Sequence, residues 1–309
     1  MLTIFSSAKP FLRQDGIRQR NALRSWTLLD PNCEVILFGD VPGASEVAAE
    51  LGIHHVKDVL RSKRGNVRLD DMFSRAQQIA RHDLLCYANC DIILLNCFLR
   101  AVAAAGQWSK RFLLVGQRWD MPMEEPIDFN TDWEINLRKQ ALRAGRLQVR
   151  GAVDYFVFRR GTYHDLPPFV IGRICWDHWL VWKARSTNIP VIDASEDVLA
   201  IHQNHDHLYC IGGLDGVRAD VESQHNLVLA GGLRHLYTIT HATHKLVRGD
   251  IKERPGRWHV PLTFFVGTYT NQFWYWALKK TLPLRHLLGL RRGRAFSQAF
   301  ERFRSMLGD

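Results

Sequence analysis

The sequence predicts an α/β fold, a mostly parallel central sheet flanked by helices and followed by a C-terminal helical extension. Three observations predict it. Short apolar runs recur at residues 2–6, 33–38 and 84–95; segments with apolar residues at helical spacing lie between them; and the runs break at polar or acidic turns. Strands that alternate with helices build a parallel sheet, because a crossover helix brings the next strand back in the same direction. A chain of 309 residues suits one large domain of this kind, or one domain with an extension.

The elements follow in order. Residues 2–6 read as the first strand and open into a loop of Ser6, Ser7, Ala8, Lys9 and Pro10. Residues 15–29 carry Ile17, Ala22, Leu23 and Trp26 at helical spacing, and Pro31 and Asn32 stop that helix. Residues 33–38 form an apolar strand that ends at Gly39 and Asp40. A helix over 45–51 and a short strand over 53–56 come next. Arg61, Ser62, Lys63, Arg64, Gly65 and Asn66 make a basic turn, and residues 69–81 follow as a helix with Asp70 and Asp71 in its first turn. The run 84–95 is apolar, breaks at Asn89, Cys90 and Asp91, and is apolar again. Further on, strands are expected at 111–115, 154–158, 190–193 and 198–201, and helices at 133–145, 176–185 and 223–237. No element is assigned beyond about residue 240. The expected division is therefore a catalytic domain over 1–240 and a basic, aromatic-rich extension over 241–309.

Composition narrows the class. Apolar residues make up 46%, enough for a substantial core. No uninterrupted apolar stretch approaches the roughly 20 residues of a membrane span. The N-terminus has no basic n-region, so no signal peptide is expected. Six cysteines at 33, 86, 90, 97, 175 and 210 form no CxxC pair, which suits a reduced cytoplasmic protein. The net charge is +10, and residues 279–309 hold eight Lys/Arg against two acids. With Phe273, Trp274, Tyr275 and Trp276 ahead of it, this basic end suits an anionic membrane surface, a nucleic acid or an acidic partner. A solvated helical face accounts for the same charges, and Pro283 and Gly289 interrupt any single amphipathic helix. No nucleic-acid motif is present, and no nucleic-acid partner is expected.

Three constellations carry chemistry. The first is Asn89-Cys90-Asp91. An acid between two apolar half-strands is costly to bury without a partner, and a divalent cation is one such partner. A turn capped by Asp91 is the competing account. The second is Trp176-Asp177-His178-Trp179, where Asp177 lies near a helix start and is favourable there through the helix dipole alone. Trp176, Trp179 and Trp182 have faces that can stack on sugar rings, but their spacing is also that of a core stripe. The third is His202, Gln203, Asn204, His205, Asp206 and His207 after a short strand. A zinc site from its histidines lacks the usual spacing, and loop histidines satisfied by the backbone fit equally.

The strings Ile4-Phe5-Ser6-Ser7-Ala8-Lys9-Pro10-Phe11, Gln19-Arg20-Asn21-Ala22-Leu23-Arg24-Ser25-Trp26, Leu37-Phe38-Gly39-Asp40 and Tyr87-Ala88-Asn89-Cys90-Asp91-Ile92-Ile93-Leu94 together resemble the GT-A class of nucleotide-diphospho-sugar glycosyltransferases, in particular bacterial polysaccharide-type enzymes. The resemblance covers roughly residues 1–210. It implies a Rossmann-like GT-A fold, a nucleotide-diphospho-sugar donor, a glycan or lipid-linked glycan acceptor, and a cytoplasmic enzyme, peripheral on the inner face of the membrane. The last string occupies the place of the DXD motif. By that resemblance Asp91 holds Mn²⁺ or Mg²⁺, with His202 as first choice and His205 as second to complete the coordination. The first DXD acid is Asn89 here, which leaves it the ribose or a metal-bound water. Asp177 matches the acid that deprotonates the acceptor hydroxyl in inverting members, and inversion is expected ahead of retention. Ser7 and Asp40 are candidates for the base and ribose, Arg68 and Arg173 for the diphosphate, the strand end Gln117-Arg118-Trp119-Asp120 for the donor sugar, and Asp154 and Trp176 for the acceptor side. Ordinary surface charge is the competing account for each charged one. A nucleotidyltransferase is the alternative enzyme, but the loop after the first strand lacks glycine. A non-enzymatic module binding through the basic end is the other.

Overall fold

The computed structural model describes residues 1–204, 216, 217 and 219–254. The expectations for His205 and for the basic extension lie outside the described residues.

The chain begins β1 (Leu2–Ser7), α1 (Arg13–Thr27), β2 (Glu34–Phe38), α2 (Ala44–Leu51), β3 (His54–Val56), α3 (Leu69–Ile79), β4 (Leu84–Ala88) and β5 (Ile92–Ile93). It continues with α4 (Asn96–Trp108), β6 (Leu113–Val115), β7 (Arg118–Met121), α5 (Trp133–Ala144), β8 (Arg146–Leu147), β9 (Tyr155–Arg159) and α6 (Trp176–Ser186). Then come β10 (Val191–Asp193), β11 (Ala200–Gln203), α7 (Val221–Leu229), β12 (His244–Val247) and β13 (Asp250–Glu253). A nine-stranded sheet runs β3-β2-β1-β4-β9-β6-β10-β12-β13, and a four-stranded sheet runs β5-β11-β7-β8. In the large sheet only β9 and β13 run against their neighbours. The fold is α/β with a mostly parallel central sheet flanked by helices, as expected.

Alternation along each inner strand decides which helices cover which face. On one face Ile4, Cys86 and Val157 join Leu23 and Trp26 of α1 and Phe98 of α4. Trp26 is fully buried, and its indole N–H donates to the Ile92 carbonyl at 2.8 Å. On the other face Phe5 meets Phe73 of α3 at 5.0 Å and Tyr87 at 5.7 Å, and Phe73 stacks on Phe158 at 5.8 Å. Burying each such ring contributes roughly 1.5–3 kcal/mol. In α3, Leu69, Met72, Phe73 and Ala76 share one buried face, and Asp70 and Asp71 sit in the first turn where the helix dipole favours them.

The structure departs from expectation in four places. The run 84–95 is two strands on two sheets, divided at Asn89–Asp91. Residues 96–108, where the apolar run before them hides the period, form α4 through Cys97, Phe98, Ala101, Val102 and Ala105. The helix expected over 223–237 ends at Leu229, because Gly231 and Gly232 take positive φ of 77° and 87°. Beyond residue 240, where no element was assigned, β12 and β13 extend the large sheet.

Candidate functional site

Sheet register brings the acidic turn and the late histidine together. β11 lies between β5 and β7, with His202 opposite Ile92 on one side and Asp120 on the other. Asp91 directly precedes Ile92, so His202 faces a carboxylate from each neighbouring strand. Its Nε2 is 3.6 Å from Asp91 Oδ2, and its Nδ1 is 3.1 Å from Asp120 Oδ1. The His202 side chain is 8% exposed and that of Asp91 21%, so the acid keeps access to solvent.

From Asp120 the network runs inward. Asp120 Oδ1 also accepts from Arg118 Nε at 2.9 Å, and Oδ2 accepts from Gln148 Nε2 at 2.7 Å. Arg118 Nη1 donates to Asp154 Oδ2 at 2.8 Å. Asp154 Oδ1 accepts from Asn89 Nδ2 at 2.6 Å, and Tyr87 donates its hydroxyl to Asn89 Oδ1 at 2.8 Å. Three carboxylates thus surround one guanidinium and one imidazole, an arrangement that compensates charges which would be expensive to bury singly. Burial works against the charged form of His202, but the Asp91 charge and the bonds to Asp120 and Asp91 outweigh it and raise its pKa to about 9. Burial likewise opposes ionisation of Asp120, yet the hydrogen bond from His202 and the Arg118 charge bring its pKa below the usual carboxylate value.

Asp177 is the second residue of α6. Its Oδ1 is buried with no hydrogen-bond partner, and His178 Nδ1 lies 3.8 Å away. It belongs to the same neighbourhood as the acidic turn. Burial, then the charges of Asp91 and Asp154, then those of Cys90 and Asp177, hold the Tyr87 hydroxyl protonated far above its ordinary range. Cys175, just before α6, has φ +86°, a region side chains avoid at a cost of about 1–3 kcal/mol. Burial foremost, and the nearby Asp177 charge, push its thiol up to about 12.

The parallel strands deliver two further candidates to this end of the sheet. Ser7 is the last residue of β1, opposite Phe38, and Ser6 beside it donates to the Ala88 carbonyl at 2.6 Å. Asp40 follows β2 and is exposed. Ligands of open α/β sheets gather beyond these strand ends.

The other candidates are committed elsewhere. Arg68 forks onto Asp70, at 3.1 Å from Nε and 2.5 Å from Nη2, instead of standing open for a diphosphate. Arg173 pairs with Asp220 at 2.9 Å and Glu222 at 3.2 Å, tying the segment before α6 to the start of α7. Arg118 is a link between Asp120 and Asp154, and Asn89 is one between Tyr87 and Asp154. Asp154 is 6% exposed with both oxygens engaged. Trp176 is 5% exposed and packs on Tyr87 at 5.2 Å and Phe156 at 5.9 Å, so its ring is core and not a sugar platform. Gln148 and Tyr87 belong to the site but drew no assignment, and Asp120, grouped with Arg118 for the donor sugar, bonds to His202 instead. The signal for Asp120 was its period-2 spacing from Arg118, which puts both on one strand face.

Among the described residues no group of three or more His, Cys, Asp or Glu side chains is disposed to hold a metal ion alone. Clefts of about 610 Å³, beside Asp197 and Arg248, and about 400 Å³, beside Lys110 and Arg160, share no residue with the network. No described helix is long and apolar enough to cross a membrane.

No protein-family model matches the sequence. No curated protein matches it either. Among solved structures, the chain is similar to S. aureus TarS 1-349 at 12% identity, over 76% of this chain and 71% of that one, with a TM-score of 0.45. The same TarS fragment in complex with UDP-GlcNAc matches at 12% identity over 78% and 74%, also at 0.45. Glucosyl-3-phosphoglycerate synthase from Mycobacterium tuberculosis, in complex with Mg²⁺ and UDP, matches at 14% identity over 75% and 80%, at 0.43. These likenesses are partial, and function is read from the site itself.

Proposed function

We propose that the chain is a GT-A-type glycosyltransferase that moves a sugar from a nucleotide-diphosphate donor to an acceptor hydroxyl in bacterial glycan synthesis. One observation carries the reading: Asp91, at the break between β4 and β5, faces His202 at 3.6 Å while Asp120 holds the other ring nitrogen. A Mg²⁺ or Mn²⁺ ion fits this donor set, because such ions take one or two protein ligands and fill the remainder from phosphates and water. Asp91 and His202 would hold it. When bound, the ion neutralises charge on the departing diphosphate.

The chain's own groups supply the rest. Ser7 and exposed Asp40, at the tips of β1 and β2, are the polar groups available to the base and ribose. Asp177 is the general base of an inverting reaction. Its partly exposed carboxylate accepts the proton of the acceptor hydroxyl as that oxygen bonds to the anomeric carbon. The bond from that carbon to the phosphate oxygen breaks, and the diphosphate leaves with the electron pair. The acceptor is a glycan or lipid-linked glycan, and the basic C-terminal residues bring the enzyme to the anionic inner face of the membrane.

A melting-temperature panel of nucleoside diphosphates, each with and without Mn²⁺, tests the reading. Binding to the folded state raises stability by about 2.7 kcal/mol at 100 times Kd. At least one nucleotide is expected to raise the melting temperature, and more so with Mn²⁺. No rise with any of them would remove the basis for a nucleotide-sugar enzyme.

A further inference from the structure

His202 has two ring nitrogens, and only one can present a lone pair when the ring is neutral. Asp120 decides which. As an ionised carboxylate Asp120 can only accept, so the contact at 3.1 Å requires the proton on Nδ1. That leaves Nε2 on the Asp91 side. Asp120 is itself immobilised by donors on both oxygens, Arg118 Nε and Gln148 Nε2. The pairing of β7 with β11, with Asp120 opposite His202, fixes the two backbones as well. These are the parts of a carboxylate–histidine–metal relay, in which the outer carboxylate selects the tautomer and aims the ring.

We infer that Asp120 is a positioning residue for cation binding, acting through His202 and held in place by Arg118 and Gln148. The inference rests on the proposed cation role of Asp91 and His202. It assigns Asp120 no contact with the cation, and makes Arg118 a buttress and not a sugar ligand.

Uptake of Mn²⁺ alone, followed by the loss of the free-ion electron paramagnetic resonance signal, tests it without any activity assay. Asp120→Ala is expected to weaken Mn²⁺ binding about 10- to 100-fold, the usual size of an outer-carboxylate effect. Asp120→Asn keeps an acceptor for the Nδ1 proton and should recover part of that loss. Gln148→Ala, which removes one of several supports, should cost less than either. Melting curves without metal report the purely structural share of each substitution. If Asp120→Ala does not fold, Asp120→Asn carries the test, and binding equal to wild type overturns the inference. A folded Asp120→Ala protein that binds Mn²⁺ within about twofold of wild type overturns it as well. If the wild-type protein takes up no Mn²⁺, the cation role of Asp91 and His202 fails first, and the inference with it.

Discussion

In the nine-stranded sheet the inner strands pack mostly apolar side chains on both faces; in the four-stranded sheet only one face is apolar. Along β7, Trp119 and Met121 meet the small apolar cluster with Ile93, Leu137 and Ile201, while Arg118 and Asp120 point to the charged network. Along β11, Ile201 packs in that cluster and His202 lies between two carboxylates. The large sheet is held by area removed from water, which is tolerant of detail. The small sheet is held by charge compensation in a poorly hydrated setting, where removing one member exposes the others to the full burial cost.

Single substitutions separate the two regimes. Trp26→Ala empties a fully buried site on the large sheet and should cost about 3–5 kcal/mol in urea unfolding, with Mn²⁺ uptake by the folded protein unchanged. Arg118→Met should cost a similar ~3–5 kcal/mol, because Asp154 and Asp120 lose their shared cation. Unlike the first, it should also weaken Mn²⁺ uptake; equal uptake in both variants would erase the distinction between the sheets.

A smaller effect is expected at the altered motif. Asn89→Asp replaces a donor with a carboxylate beside Asp154, where the present bond is 2.6 Å. It should destabilise the fold by about 1–3 kcal/mol and not strengthen cation binding. Asn stands at 89 because the position faces an acid already paired with Arg118.

Proton linkage sharpens the contrast between two buried histidines. His202 has a folded pKa raised to about 9, so in metal-free protein its contribution is complete below its ordinary 6.5 and is lost as pH rises through about 9. His241 moves the other way: burial lowers it to about 4, against a hydrogen bond to the Thr238 backbone carbonyl and aided by Arg185 and His178. Its neutral form is favoured in the fold, so stability falls as pH drops from 6.5 toward 4. Melting curves across this range in a chelator should lose their alkaline limb in His202→Gln and their acid limb in His241→Gln.

Much of the large sheet was legible because β1, β2 and β4 alternate or run apolar between clear breakers, and α1 and α3 hold a clean period. α4 was not, since apolar residues flow into it from β5 without a polar boundary. β12 and β13 are short and half-exposed, and leave little pattern. At the site, Asp91 stood out as an acid between two apolar half-strands, while His202 and Asp177 were picked out by the resemblance; the structure sets His202 beside Asp91. The partners of Arg68, Arg118 and Arg173 were not, because pairing depends on which strands and loops meet. Arg118 and Asp154 read as surface charges; register between β7, β9 and β4 buries them together.

The central claim is that Asp91 and His202 grip a divalent cation that in turn grips a nucleoside diphosphate. The most direct measurement is Mn²⁺ uptake by paramagnetic resonance, with the nucleotide that gives the largest melting shift, in wild type and Asp91→Asn. The account predicts tight, nucleotide-enhanced uptake in wild type and a loss of about tenfold or more in the variant, at least 1.4 kcal/mol. Equal uptake in the two proteins would contradict it.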